Sequence, residues 1–124
     1  VIRLTFPQPN RPLSINEGNK LHWAARRRRL EPWRDETLLA LRGIQTEEGI
    51  EYPARISVQV TLTFPRAARR DPHNYTGTVV KTICDAIVAS SLVPDDTAEW
   101  VVVLDPIIRI ASDDTCTVTI ERTK

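Results

Sequence analysis

The stretch "RISVQVTLTF" (residues 55–64) decides how the rest of the chain is read. Ile56, Val58, Val60, Leu62 and Phe64 fall on one face, and Ser57, Gln59, Thr61 and Thr63 fall on the other. Side chains alternate with a period of two along a strand, so this is a half-buried strand, expected to run antiparallel to a neighbour. Upstream, "VIRLTF" repeats the pattern on a smaller scale, with Ile2, Leu4 and Phe6 facing inward. "PQPNRPLS" follows as a proline-broken loop in which Pro7, Pro9 and Pro12 each deny a ladder donor. From Lys20 to Arg42 the spacing becomes helical, with Leu21, Ala24, Ala25, Leu38 and Leu41 as candidate inward residues. Pro32 is expected to interrupt that helix and Gly43 to stop it.

Downstream of the central strand, "TVVKTICDAIVASSLV" places Val79, Val80, Ile83, Cys84, Ile87 and Val88 at helical spacing, a core helix over residues 78–91. "EWVVVLDPIIRIAS" reads as a strand bent at Pro106, and Asp113 with Asp114 reads as a hairpin turn into a last strand, "TCTVTIER". Strands before and after two main helices in one small chain make the fold class α+β, a small mixed sheet in one domain over residues 1–124.

Composition narrows the function classes. Hydrophobic residues make up 41% of the 124, as in a globular chain, and no apolar run reaches the roughly 18 residues of a membrane span. No signal-peptide pattern opens the sequence, and a first residue of Val is what numbering that starts inside the encoded protein would give. Cys84 and Cys116 lack CxxC spacing and sit within apolar patterns, so they are expected as buried thiols of a reducing cytosol. The net charge of +1 excludes a histone-like polycation. Yet seven of the fourteen arginines are bunched in "ARRRRL" (Arg26, Arg27, Arg28, Arg29) and "RAARR" (Arg66, Arg69, Arg70), which points to a polyanionic partner.

The second of these clusters runs into "RRDPHN" (residues 69–74), and "PDD" (residues 94–96) follows the core helix. Asp71 and His73 are two apart, so in an extended segment they share a face, and both side chains ligate divalent metals. Pro72 fixes its own φ and biases Asp71 toward extended geometry. Asn74 is placed to cap the next helix or to orient a ligand. Alone, "DPHN" reads more readily as a turn built from turn-forming residues, and "PDD" as an ordinary loop. Together they differ: a helix followed by a returning chain brings Asp95 and Asp96 back toward Asp71. Carboxylates converging on one point call for a cation, Mg²⁺ or Mn²⁺, and flanking arginines supply a phosphate grip.

These residues resemble the RusA-type Holliday junction resolvases, small homodimeric endodeoxyribonucleases of bacteria and their phages, and in particular a phage-like "DPHN" variant. The likeness rests on "RRDPHN", the helix with "KTICDAI", and "LVPDDTAEW", with weaker support from "LTFPQPNRPLSINEGNKLHW". Its specific part is residues 66–100. The resemblance implies that Asp71 is a metal-binding catalytic aspartate, completed by Asp96 with Asp95 beside it. It also implies that Asn74 is the family asparagine and Lys81 the lysine that assists at the phosphate. His73 stands where cellular members have a second aspartate. As a nitrogen ligand it lowers the site's negative charge, shifts preference from Mg²⁺ toward Mn²⁺, and makes activity acid-sensitive, since a protonated imidazole cannot ligate. Lys81 follows Asn74 by more than the cellular pattern allows, so "YTGTVV" reads as an insertion. Lys81 is then either catalytic or a surface lysine paired with Asp85.

The remaining candidates are Arg26 to Arg29, divided between DNA backbone contact and a solvated face paired with Glu31 or Asp35. Arg66, Arg69 and Arg70 are expected to contact DNA, as are Lys20 and Asn16, the latter approaching the site as the resemblance implies. His22 is read as structural, and Trp23, Trp33 and Trp100 as core or dimer contacts. The functional expectation is a homodimer in the bacterial or phage-infected cytoplasm, with no membrane partner. It would nick four-way junctions symmetrically by in-line attack of metal-activated water, leaving a 5′ phosphate as the resemblance implies. The alternatives are a non-catalytic branched-DNA-binding protein of the same fold, or a broader structure-specific nuclease.

Overall fold

The computed structural model describes residues 2–48, 55–90 and 99–123. It is an α+β arrangement in which helices cover one face of a five-stranded mixed sheet. In chain order the strands are β1 (Ile2–Pro7), β2 (Ile56–Phe64), β3 (Val101–Val103), β4 (Ile107–Ile110) and β5 (Thr115–Arg122), and the α-helices are α1 (Ile15–Lys20), α2 (Trp23–Glu48) and α3 (Lys81–Ala89).

β2 is the organising strand. Val58, Val60 and Leu62 are fully buried on its inner face, while Ser57, Gln59 and Thr61 on the other face are only half-covered. On one side β2 pairs antiparallel with β5, which in turn pairs antiparallel with β1. On its other side it pairs parallel with both β3 and β4, in successive registers. The expected antiparallel neighbour is therefore present, but the second edge is parallel, because α3 carries the chain back over the sheet before β3 begins. The bend at Pro106 is real: residues 104–106 separate β3 from β4, and both segments stay on the same edge. The hairpin expected at Asp113 and Asp114 is not formed. β4 and β5 lie on opposite sides of β2, so this turn carries the chain across β2 rather than back alongside β4. Asp114 takes a positive φ of 48°, a left-handed conformation that aspartate tolerates in turns.

The helical half departs from expectation in two ways. The chain breaks at Leu21 and His22, where the Ala24 N–H donates to His22 Nδ1 at 3.3 Å and the Arg26 N–H donates to the His22 carbonyl. His22 thus opens α2, which confirms a structural role. Pro32 then lies inside α2 without ending it, and the helix runs past Gly43. The inward stripe is Leu30, Trp33, Thr37, Leu41 and Ile44, spaced by three or four residues. Burying Trp33 and Leu41 completely offsets the cost of about 3 kcal/mol for an interior proline. Trp33 also packs edge-on to Phe6 and donates its indole N–H to Asn10 Oδ1 at 2.8 Å. Pro7 is not a breaker either. It closes β1, an edge strand, where a missing donor costs little.

Both cysteines are free and buried. Burial alone pushes the Cys116 thiol up to about 12, as fits an inert core thiol.

Candidate functional site

The site is built on the C-terminal end of β2. Phe64, the last β2 residue, is a platform: Tyr75 packs against its ring, with centroids 5.5 Å apart, and the Arg70 guanidinium lies over it at 4.0 Å. Arg70 Nη1 also donates to the Arg66 carbonyl at 2.9 Å. The chain between Phe64 and Tyr75 is thereby folded back on itself, with Asp71 following the anchored arginine. Burial raises the Tyr75 hydroxyl above its ordinary range, against the opposing effect of Arg70, so the phenol is a neutral packing group.

Asp71 is extended, at φ −88° and ψ 118°, as Pro72 requires. From Pro72 the backbone turns into a 3₁₀ helix (Pro72–Tyr75), so Asp71 and His73 do not share the face of one extended segment. They are joined by a cap instead: the His73 N–H donates to Asp71 Oδ1 at 3.0 Å, and the Asn74 N–H donates to the Asp71 carbonyl at 3.0 Å. The capping residue is therefore Asp71 rather than Asn74. The side chains of Asp71 and His73 are both exposed.

A π-helical turn, Thr76–Val80, comes next. It is closed where the Lys81 N–H donates to the Thr76 carbonyl, and it runs into α3 without a break. "YTGTVV", read as an insertion, is where this wide turn lies. The Thr78 hydroxyl donates to the Leu13 carbonyl, tying the proline-rich loop to the π turn. Ser14 caps α1 by accepting from the Glu17 N–H at 3.2 Å, and α1, which carries Asn16 and Lys20, packs against both the 3₁₀ and the π turn. These two exposed candidates thus lie on the element that adjoins the Asp71 segment.

Lys81 is exposed at the start of α3 and forms an ion pair with Asp85 at 3.2 Å, as the surface alternative for it anticipated. The arginine run on α2 divides by contact. Arg27 pairs with Glu31 at 3.4 Å, and Arg26 reaches the Gly77 carbonyl at 3.5 Å. Arg28 is exposed. Arg29 is half-buried and donates through Nη2 to the Arg11 carbonyl at 2.6 Å. Arg29 is thus a strut of the loop rather than a surface contact. Arg66 and Arg69 are exposed next to Asp71 in the chain. Trp33 is core as expected and Trp100 is half-buried, whereas Trp23 is 69% exposed and belongs to no core.

Two concavities adjoin this region. A cleft of about 400 Å³ is lined by Arg11, Thr63, Phe64, Arg66, Arg70 and Asp114, and a shallower groove of about 600 Å³ lies between α2 and α3, bordered by Trp23, Arg26, Arg34 and Asp85.

Sequence reasoning missed one residue. Asp105, in the break between β3 and β4, brings Oδ1 to 3.7 Å from His73 Nδ1. The available signal was a second Asp-Pro dipeptide, Asp105 with Pro106, matching Asp71 with Pro72.

Asp95 and Asp96, the expected second arm, lie outside the described residues. Among the described residues no three His, Cys, Asp or Glu side chains gather to hold a metal ion. The described pair, an exposed carboxylate and an exposed imidazole fixed to each other through a backbone hydrogen bond, has the donor chemistry of two ligands of such a site and not of a complete one. No described helix is long and apolar enough to cross a membrane. The chain matches no protein-family model and no curated protein.

Proposed function

We propose that this chain is a divalent-metal-dependent endodeoxyribonuclease that acts as a homodimer on branched DNA, with the four-way junction as its substrate. The observation that carries this reading is the Asp71–His73 turn. An exposed carboxylate and imidazole are held together directly after Arg66, Arg69 and Arg70, so ligand chemistry and phosphate-binding chemistry occupy one short segment. The likeness of "RRDPHN", "KTICDAI" and "LVPDDTAEW" to the RusA-type resolvases supports the same reading.

Asp71 and His73, with Asp95 and Asp96, would hold the cation. When bound, Mg²⁺ or Mn²⁺ supplies Lewis acidity at the scissile phosphate and a nucleophilic water. The chain's own part is positional. Pro72 and the Asp71 cap fix the two ligands, Phe64 holds Arg70 beside them, and Arg66 and Arg69 bind backbone phosphates on either side. A two-fold dimer would offer one such site to each of two opposed strands, matching the pseudo-symmetry of the junction. Phosphate contact makes binding weaken steeply with salt.

The test is a labelled synthetic four-way junction incubated with Mg²⁺ and separately with Mn²⁺, alongside flap and fork substrates. Paired symmetric nicks on the junction, faster in Mn²⁺, are expected. Binding without nicking in either ion would leave a branched-DNA-binding protein in place of an enzyme, and preferred cutting of flaps would make it a broader structure-specific nuclease.

A further inference from the structure

We infer that Asp105 is a positioning residue for His73: its carboxylate accepts the Nδ1 proton of the imidazole and so presents Nε2 as the free nitrogen for a ligand. The purpose of this arrangement rests on the nuclease reading above; the geometry does not.

His73 meets two different aspartates, one at its backbone and one at its ring. Its backbone N–H donates to Asp71 Oδ1, and its ring Nδ1 faces Asp105 Oδ1 at 3.7 Å, a fraction of an ångström beyond hydrogen-bond length. A small side-chain rotation closes that gap, as is common in sites free of ligand. Asp105 is not a loose surface acid that drifts into range. The Leu104 N–H donates to the Val58 carbonyl at 2.9 Å, Gln59 Nε2 donates to the Asp105 carbonyl at 3.1 Å, and Pro106 is buried. Both sides of Asp105 are thus pinned to β2 and to the core while its carboxylate remains 79% exposed. Among the described residues, His73 is the one group that this carboxylate meets. An acid with a fixed backbone and a single imidazole neighbour is the arrangement that sets the tautomer of a ligating histidine.

The chain has only two histidines, and the other supplies a contrast. His22 Nδ1 accepts from the Ala24 N–H, so a neutral His22 carries its proton on Nε2. A neutral His73 carries its proton on Nδ1. The two rings therefore hold opposite tautomers.

Long-range ¹H–¹⁵N correlation spectra of the metal-free full chain, recorded above the imidazole titration, read both tautomers directly. The expected result is Nε2–H for His22 and Nδ1–H for His73. Asp105→Ala should move His73 alone toward a mixture, and Asp105→Asn, which keeps an acceptor oxygen, should restore the Nδ1–H form. In a separate Mn²⁺ titration followed by electron paramagnetic resonance, Asp105→Ala should weaken binding by about 10–100-fold and Asp105→Asn should recover most of it. Circular dichroism confirms that both variants fold. An Nε2–H tautomer at His73 in the unaltered chain, or a tautomer indifferent to Asp105→Ala, overturns the inference. If the tautomers are as expected but Mn²⁺ binds no better to the unaltered chain than to Asp71→Asn, the metal reading falls and the orientation of His73 stands.

Discussion

Asp71 and Asp113 use the same local device to opposite ends. Each is an aspartate in a turn at the tip of the sheet, and each accepts a backbone N–H from two residues on: His73 to Asp71 at 3.0 Å, Thr115 to Asp113 at 3.4 Å. What differs is the company. Asp113 is gripped by both terminal nitrogens of Arg109, at 2.7 and 3.4 Å, and that guanidinium holds its carboxyl below the usual range. Asp71 follows an arginine whose guanidinium is turned onto Phe64, and it precedes a histidine. One carboxylate is spent on its own fold and the other is left with capacity to bind something. The turn chemistry of a short acidic motif therefore says little about function; the disposition of the nearest cation says more.

The contrast is broken most directly at the two carboxylates. Asp71→Asn should lower junction cleavage on the order of a thousandfold or more while leaving junction affinity within a few-fold, because it removes a ligand without removing an arginine. Asp113→Asn should leave cleavage within about twofold. Equal losses in the two variants, measured on one labelled junction, would erase the distinction.

A second test sharpens what stands behind the Asp71 turn. Thr78→Val deprives the buried Leu13 carbonyl of its donor and should cost about 1–3 kcal/mol in chemical denaturation. It should also loosen α1 against the π turn, so cleavage should fall at temperatures well below the unfolding midpoint. Stability lost with no change in cleavage would show that the anchor serves the fold alone.

The smallest effect is expected at the other turn. A carboxyl depressed by Arg109 contributes stability that is present above the ordinary aspartate range and is lost as pH falls through the depressed value. Asp113→Asn should therefore flatten the acid limb of a stability–pH profile slightly. Because Asp113 is exposed, the difference should vanish in high salt. A difference that persists in concentrated salt would contradict an exposed, screened pair.

How much of this was legible in the sequence follows from how local each cause is. β2 was readable because its alternation over nine residues has one physical reading, and β1 and β5 shared it. The parallel placement of β3 and β4 was not, since three- and four-residue strands carry no record of which edge they join. Asp113 and Asp114 spelled a turn, but a turn that crosses over β2 is written in the same residues as a hairpin. Pro32 signalled a break that long-range packing of Trp33 and Leu41 overrode. At the site, the extended Asp71 was legible through Pro72. The 3₁₀ cap and the approach of Asp105 were not, because Asp105 reaches His73 only after α3 and β3 have brought the chain back alongside β2, where Val58 and Gln59 hold residues 104 and 105.

The π turn acts as a splice between two surfaces. Residues before it present Asp71 and His73, and residues after it present Ile83 and Ile87 to the core. A π turn holds one residue more than an α turn over the same hydrogen-bonded span. The surplus residue is therefore taken up within Thr76–Val80, and the segments on either side keep nearly the relation that an uninterrupted helix one residue shorter would give them. Thr78, Val79 and Val80 inside the turn are themselves buried, so the surplus is packed into the core rather than looped out. In this chain one residue of helical slack is absorbed inside a packed turn, several positions away from the exposed imidazole.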